Sequence, residues 1–219
     1  MNPTRNTTMI KHLLLGTLAA SLWAGHAAAA PVTANLAQWT QAGDVTVASG
    51  TSARITTAAA ESGEQPSGAS SALLFYELEP ALKLAGGVLP ADTIEGSGLQ
   101  LSFSALASTT ISFAWSLSTA LFDADYIDRA FVVIDGSLFE SLADVALTAV
   151  NGQFSHTFGA GDHSLAFGIL DVNSTDLVST LDISGFNVSS AAEVPEPGTW
   201  ALVMAGIAGL AGATRRRRA

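Results

Sequence analysis

Residues 98–117 read GLQLSFSALASTTISFAWSL, and apolar side chains occupy alternate positions in both halves of this stretch. Successive side chains of a strand point to opposite faces, so the pattern predicts two half-buried strands. Serine and threonine fill many of the intervening positions, which is typical of a solvated sheet face. The predicted buried faces are Leu99, Leu101, Phe103 and Ala105 in the first strand and Ile111, Phe113, Trp115 and Leu117 in the second.

Short strand-like segments continue on both sides of this stretch, with turn residues between them. About nine such strands predict an all-β fold, an antiparallel β-sandwich of jelly-roll type, with a barrel as the alternative. Residues 139–150 fit a short helix or an edge strand, and the pattern does not decide between them. The other predicted strands are DVTVAS (44–49), SARITTA (52–58), ALLFYEL (72–78), AFVVID (130–135), QFSHTFG (153–159), HSLAFGIL (163–170) and STLDISGFNVSS (179–190).

The N-terminus has the composition of a secretory signal peptide. Arg5 and Lys11 precede the short apolar stretch HLLLGTLAASLWAG, and a run of alanines occupies residues 27–30. A positive region, an apolar region and small residues at a cleavage site are the three parts of such a leader. We therefore assign residues 1–30 to a signal peptide, and we expect signal peptidase to cut after Ala28 or Ala29 rather than directly before Pro31.

The C-terminus ends in an uncharged segment, residues 198–214, followed by a block of arginines. As a helix this segment would reach roughly 25 Å, near the short end of what spans a bilayer core. Positive charge beside a membrane segment tends to stay cytoplasmic, so the body upstream is expected outside. The block consists of Arg215, Arg216, Arg217 and Arg218.

The tripeptide Pro195, Glu196 and Pro197, the apolar segment and the arginine block together resemble the PEP-CTERM sorting signal of Gram-negative bacteria. The resemblance implies that exosortase recognises residues 191–219 and that the membrane-anchored precursor loses its tail. It also implies a final place in the cell envelope or the extracellular matrix, with biofilm and exopolysaccharide. The expected organisation is thus a leader at 1–30, a β-sandwich body at 31–190 and a sorting signal at 191–219.

The charge of the body is strongly negative. Residues 31–194 contain 18 acidic residues against three basic ones, Arg54, Lys83 and Arg129, which gives a net charge of −15. Such a surface disfavours nucleic acid and anionic lipid and attracts cations. The chain has no cysteine, so its stability does not depend on disulfides.

Catalytic motifs are absent from the sequence. It contains no G-x-S-x-G, H-E-x-x-H or P-loop pattern. His156 and His163 flank the segment TFGAGD, which predicts a hairpin turn with both imidazoles near one edge of the core. No further ligand or nucleophile accompanies them at a characteristic spacing, so we expect half-buried structural histidines and a protein that is not an enzyme.

Two acidic loops share the pattern D-x-[D/N]-x-x-D, and each follows an apolar strand. Oxygen ligands at this spacing suit Ca²⁺, which takes six to eight hard oxygens in loose geometry. Equally, Asp and Asn close turns through bonds from side chain to backbone, and that interpretation remains open. No cofactor is required by any motif. The candidate calcium ligands are Asp123, Asp125 and Asp128 in the first loop and Asp171, Asn173 and Asp176 in the second.

Three functions are compatible with these features. The first is a non-catalytic exported protein of the envelope or matrix, and the second is a carbohydrate-binding β-sandwich module. Sugar binding favours exposed aromatic side chains, for which Trp39 and Tyr126 are the candidates, whereas Trp115 is expected to be buried and Tyr76 to lie within a strand. The third is a secreted hydrolase, which needs converging carboxylates. The expected partners are signal peptidase and exosortase during export, the membrane before processing, and extracellular polysaccharide afterwards.

Overall fold

The computed structural model of the protein describes residues 35–173, 175 and 177–190. The predicted leader, the predicted membrane segment and Asp176 lie outside these residues. In the described part of the chain, no helix combines the length and the apolar character needed to cross a bilayer. The elements are β1 (Thr40–Ala42), β2 (Asp44–Ser49), β3 (Ser52–Thr56), β4 (Leu73–Leu74), α1 (Phe75–Ala81), β5 (Thr93–Ala105), β6 (Thr109–Thr119), β7 (Arg129–Ile134), β8 (Leu138–Asp144), β9 (Val150–Phe158), β10 (Gly161–Val172) and β11 (Ser179–Ser190).

The strands form two antiparallel sheets, which confirms the predicted β-sandwich. One sheet has the order β1-β5-β10-β7-β8, with β4 also paired to β5, and the other has the order β2-β3-β11-β6-β9. From β5 onward, the chain changes sheet at every connection except the one between β7 and β8. The resulting four-strand orders, β5-β10-β7-β8 and β3-β11-β6-β9, are those of a jelly roll.

The main core lies between the two sheets and is built from the alternating side chains that the sequence predicts. Leu99 of β5 and Ile111, Phe113 and Leu117 of β6 are at most 3% exposed. Phe113 crosses the gap between the sheets and packs against Phe167 of β10, with ring centroids 4.8 Å apart. The stretch 98–117 thus supplies one strand to each sheet, and its apolar faces meet in the middle.

A second core lies on the outer side of the six-stranded sheet, under α1. The predicted strand at 72–78 is wrong here, because β4 ends at Leu74 and a helix follows. Leu78 and Leu82, one helical turn apart, are fully buried against the sheet. Gly98 of β5 makes room for them, since a Cβ there would lie 3.1 Å from Leu82 Cδ1. The helix explains why β7 is buried on both faces.

Two other local expectations are settled by the topology. Of residues 139–150, which the pattern left open, the first six belong to strand β8 at the edge of the six-stranded sheet, and Val150 begins β9. The predicted hairpin between His156 and His163 is wrong, because β9 and β10 belong to different sheets. Gly159 and Ala160 carry the chain from one sheet to the other. In sequence, such a short turn does not distinguish a hairpin within one sheet from a connection between two sheets.

Candidate functional site: an acidic cleft at one end of the sandwich

A cleft of about 400 Å³ opens at the end of the sandwich where β6, β8 and β10 finish. Its walls come from the loop after β3, from the loop between β6 and β7, and from the connection between β10 and β11. Most of the lining side chains carry oxygen. The lining residues are Ser62, Glu64, Thr119, Leu121, Asp123, Tyr126, Asp128, Val145, Thr175 and Leu177.

The fold brings the two predicted acidic loops to this one cleft. Asp123 lies on its wall, and the backbone N–H of Asp125 donates to Asp123 Oδ1 at 2.9 Å, which closes the local turn. Asn173 is exposed in the left-handed region, with φ of 63°. Asp128 lines the cleft, and Asp171 lies next to it. Whether these residues bind calcium stays a prediction.

Asp128 and Asp171 face each other across neighbouring strands. The antiparallel register of β7 and β10 pairs Arg129 with Leu170, so the next pair along the ladder is Asp128 with Asp171. On the other side of β10, Asp171 is paired directly with Glu95 of β5. Paired residues of antiparallel strands project to the same face. Three carboxylates therefore form a row across three strands, on the face that looks into the sandwich.

This row, which we call the acid row (Glu95, Asp171 and Asp128), is buried. The exposed fractions are 4%, 1% and 6%, respectively. The backbone N–H of Val172 donates to Asp128 Oδ1 at 3.3 Å. The carboxyl groups of Asp128 and Asp171 hydrogen-bond to each other, which requires a proton between them. Among the described residues, no N–H or hydroxyl group donates to either oxygen of Asp171 or to Oε1 of Glu95. An unpaired buried charge is costly, so the acid row needs a compensating proton or cation.

The electrostatics of the acid row follow from burial and mutual repulsion. Burial first, and then the charge of Asp128, raise the pKa of Asp171 to about 9. Burial, with smaller contributions from Glu64 and Glu61, raises the pKa of Glu95 to about 7. The pKa of Asp128 is also raised by burial, although hydrogen bonds from the Ser179 hydroxyl, the Val172 N–H and the carboxyl of Asp171 oppose this effect. The acid row is therefore poorly accommodated as bare carboxylates at neutral pH.

No basic side chain compensates the acid row among the ion pairs of residues 35–173 and 177–190. Arg129 adjoins Asp128 in sequence, but its Nε donates to Asp144 Oδ1 at 2.7 Å. The other pairs are Arg54 with Asp182 and His163 with Asp135. Within the described residues, no three Asp, Glu or His side chains gather round one point as a set of metal ligands. Any ion here would draw on two carboxylates together with other oxygens.

The two histidines lie far from the acid row and are held in place by neighbours. His156 and His163 both contact the ring of Phe158, at centroid distances of 4.6 and 5.1 Å. Nδ1 of His163 also lies 3.2 Å from Oδ1 of Asp135. These contacts agree with the expectation that both imidazoles share one core edge.

The aromatic candidates for sugar stacking are distributed differently from the sequence-based expectation. Trp39 was expected to be exposed, and this is wrong, because it is 4% exposed and packs on Phe167 and Phe186. Tyr126 is 43% exposed on the wall of the cleft. Tyr76, assigned to a strand by its apolar surroundings, lies on α1 and is 58% exposed.

The outer face of the five-stranded sheet forms a second surface of interest, the polar sheet face. It carries hydroxyl and amide side chains in neighbouring rows, and a shallow depression of about 440 Å³ lies over β6, β9 and β11. Sequence alternation indicated the serines and threonines of this face, but not which rows adjoin one another. The polar sheet face comprises Thr110, Ser112, Ser116, Asn151, Gln153, Ser155, Thr157, Thr180 and Ser184, with the pair Arg54 and Asp182 at one side.

The fold and the site together define an all-β protein with a jelly-roll body, an acidic cleft and an outer sheet face of hydroxyl and amide groups. Residues 193–218 match the family model described as the PEP-CTERM protein-sorting motif. The chain therefore carries the sorting motif that its C-terminus resembles, which implies an exported protein that is anchored in the membrane before exosortase processes it. No curated protein matches the chain.

Several solved structures resemble the chain. The N-terminal cellulose-binding domain of a β-1,4-glucanase C from Cellulomonas fimi shares 12% identity, with 71% of this chain and 90% of that chain covered and a TM-score of 0.32. The structure of TmCBM61 in complex with β-1,4-galactotriose shares 11% identity, with 72% and 92% covered and a TM-score of 0.33. At these TM-scores neither structure assigns a ligand or an activity to this chain.

Proposed function

We propose that the protein is a non-catalytic component of the cell envelope or the extracellular matrix, associated with exopolysaccharide and biofilm. The sorting motif supports export, and the polar sheet face supports contact with a polysaccharide. The observation that carries this proposal is the chemical character of that face, an array of hydroxyl and amide groups on a regular sheet.

The polar sheet face suits a polymer whose surface consists of hydroxyl groups. Hydroxyls donate and accept hydrogen bonds, and the amides of Asn151 and Gln153 do both at fixed positions. Both amide residues are exposed on β9. Some of the hydroxyls are already aligned by one another, as in the 2.8 Å contact between the Oγ1 atoms of Thr110 and Thr157. Such a face binds through many weak contacts spread along a chain.

A non-catalytic role is supported by the inaccessibility of the acid row. A glycosidase needs two carboxyl groups that reach the scissile bond from opposite sides. Asp171 and Asp128 are 1% and 6% exposed and lie side by side, with Asp128 in the lining of the cleft. His163 is fixed between Asp135 and aromatic rings. A polymer lying on the polar sheet face would meet neither group.

Carbohydrate binding by the cleft is a second candidate, and Tyr126 is the observation that favours it. Its ring is exposed beside Asp123 on the cleft wall, where it could stack on a sugar. The acidic side chains around this ring would repel an anionic saccharide, so the cleft would favour a neutral or cationic one. The two candidates place the ligand on different surfaces and are therefore separable by mutation.

The test is co-sedimentation of the exported, processed protein with polysaccharide from its own host. The variant Asn151→Ala/Gln153→Ala removes two amides from the polar sheet face, and Gln65→Ala removes an exposed amide from a loop away from it. We expect the double variant to lose most of its binding and the loop variant to bind normally. Loss of binding in Tyr126→Ala alone would assign the ligand to the cleft, and no binding by the unaltered protein would refute both candidates.

A further inference from the structure

We propose that one calcium ion binds between Asp128 and Asp171 at the inner end of the cleft. The ion would connect the loop that follows β6 to strand β10. It would thereby fix the end of the sandwich at which several connections between the sheets meet. This site is independent of the polar sheet face.

The first support is the register of the strands. Asp128 directly precedes β7, and extending the register of β7 and β10 by one residue beyond the pair Arg129 and Leu170 places it opposite Asp171. Side chains at such positions have Cβ atoms about 4.5–5.5 Å apart and point the same way. Two carboxylates at that spacing can share one ion, and Glu95 extends the same row on the far side of Asp171.

The second support is that Asp171 has no N–H, hydroxyl or cationic partner. Its side chain is 1% exposed, and among the described residues its one hydrogen-bonding neighbour is the carboxyl of Asp128, which requires a proton between two acids. Buried carboxylates are normally paired, hydrogen-bonded or bound to a metal. Arg129 is engaged by Asp144, so within residues 35–173 and 177–190 no cationic side chain pairs with Asp171.

The third support is the chemistry around the pair. The first residue of β11, Ser179, adds a buried hydroxyl beside Asp128, and the cleft above is lined by Thr119 and Glu64. Oxygen-only surroundings suit Ca²⁺ rather than zinc, which favours histidine and cysteine. Backbone carbonyls and water would complete the coordination, since two carboxylates alone do not.

A bound calcium ion is distinguished from a proton shared by the two carboxyl groups by measuring whether calcium raises the Tm at constant pH. The processed protein is treated with chelator, and its Tm is measured in calcium, magnesium and sodium salts at equal ionic strength. We expect calcium to raise the Tm by several degrees, and magnesium and sodium to have little effect. A Tm that does not respond to calcium, or that rises equally in magnesium or sodium, would overturn the proposal.

The variant Asp171→Asn keeps the shape of the side chain and removes its charge. We expect this variant to lose the calcium-dependent rise, whereas Glu140→Gln, which removes an exposed charge on β8, should keep it. If Asp171→Asn does not fold, the binding of one terbium ion per chain to the unaltered protein, displaced by calcium, gives the same information. No displaceable terbium, or an undiminished Tm rise in Asp171→Asn, would refute the site.

Discussion

Gly152 of β9 lies directly opposite Trp115 of β6, and the indole ring occupies the space where a side chain at residue 152 would stand. A Cβ at this position would be 2.3 Å from Cζ2 of Trp115. The ring is 8% exposed and belongs to the main core. The absence of a side chain at Gly152 therefore allows the indole of Trp115, the largest side chain of β6, to lie over the neighbouring strand β9.

We expect Gly152→Ala to destabilise the protein by about 1–3 kcal/mol, because the added methyl group must displace the indole of Trp115. The measurement is equilibrium unfolding in urea. Gly159→Ala is the matched control, since a Cβ there meets nothing within 4 Å. Equal stability of the two variants would show that Trp115 has another position available at no cost.

The attachment of α1 gives a second prediction. Leu78 is fully buried in the outer core, and its truncation leaves a cavity between the helix and the six-stranded sheet. We expect Leu78→Ala to lower the free energy of unfolding by about 2–5 kcal/mol. Leu147→Ala, at a leucine that is 84% exposed, should change it by less than about 0.5 kcal/mol. A similarly small effect at Leu78 would mean that α1 contributes little to the stability of the fold.

The acid row gives a prediction about pH in the presence of chelator. The pKa values of Asp171 and Glu95, about 9 and about 7, lie above the value of roughly 4 for an unfolded acid. At pH values between the pKa of the unfolded acid and the pKa of the folded one, the folded state keeps protons that the unfolded chain has released. The metal-free protein should therefore be most stable near pH 4–5 and lose stability as the pH rises towards 9, by at most about 1.4 kcal/mol per unit for each group.

The check is urea unfolding at several pH values in EGTA. Asp171→Asn should flatten the upper part of the profile, because its amide does not titrate. Added calcium should oppose the loss of stability, since it replaces the protons. Stability that rises between pH 5 and pH 8 in chelator would contradict the raised pKa values.

The sorting motif predicts the length of the mature chain. Residues 193–218 carry the motif, so processing is expected to remove the apolar segment and the arginines that follow. Intact-mass measurement of the protein from its own host should place the C-terminus near residues 194–197. Glu196→Ala should accumulate the unprocessed precursor. Recovery of full-length chains ending beyond Arg218, in a host that has exosortase, would leave only a membrane anchor.

The alternation of apolar residues was sufficient to predict the sandwich and most of its strands. Ile111, Phe113, Trp115 and Leu117 are buried as their spacing indicates, because each contacts the opposite sheet in a simple two-layer core. The same rule failed at residues 75–81. The apolar segment there is too short to distinguish a strand from a helix. The helix is stabilised by packing on the outer face of the six-stranded sheet, and the local sequence does not reveal that contact.

The candidate site was predictable only in part. The repeated aspartate pattern drew attention to Asp128 and Asp171, but the sequence suggested two separate loops. Glu95 was missed, because its place in the acid row follows from the register of β5 and β10, which pairs residues 76 positions apart. Trp39 was misassigned for a related reason, since two phenylalanines distant in sequence, Phe167 and Phe186, cover its ring.

The course of β11 has a consequence for the tethered precursor. This strand begins at Ser179, beside the acid row, and ends at Ser190, where it pairs with Thr109 at the opposite end of the sandwich. Its twelve residues span eleven steps of about 3.3 Å, or roughly 36 Å. The segment that carries the sorting motif therefore leaves the body at the end opposite the cleft, so removing that segment need not disturb the acid row.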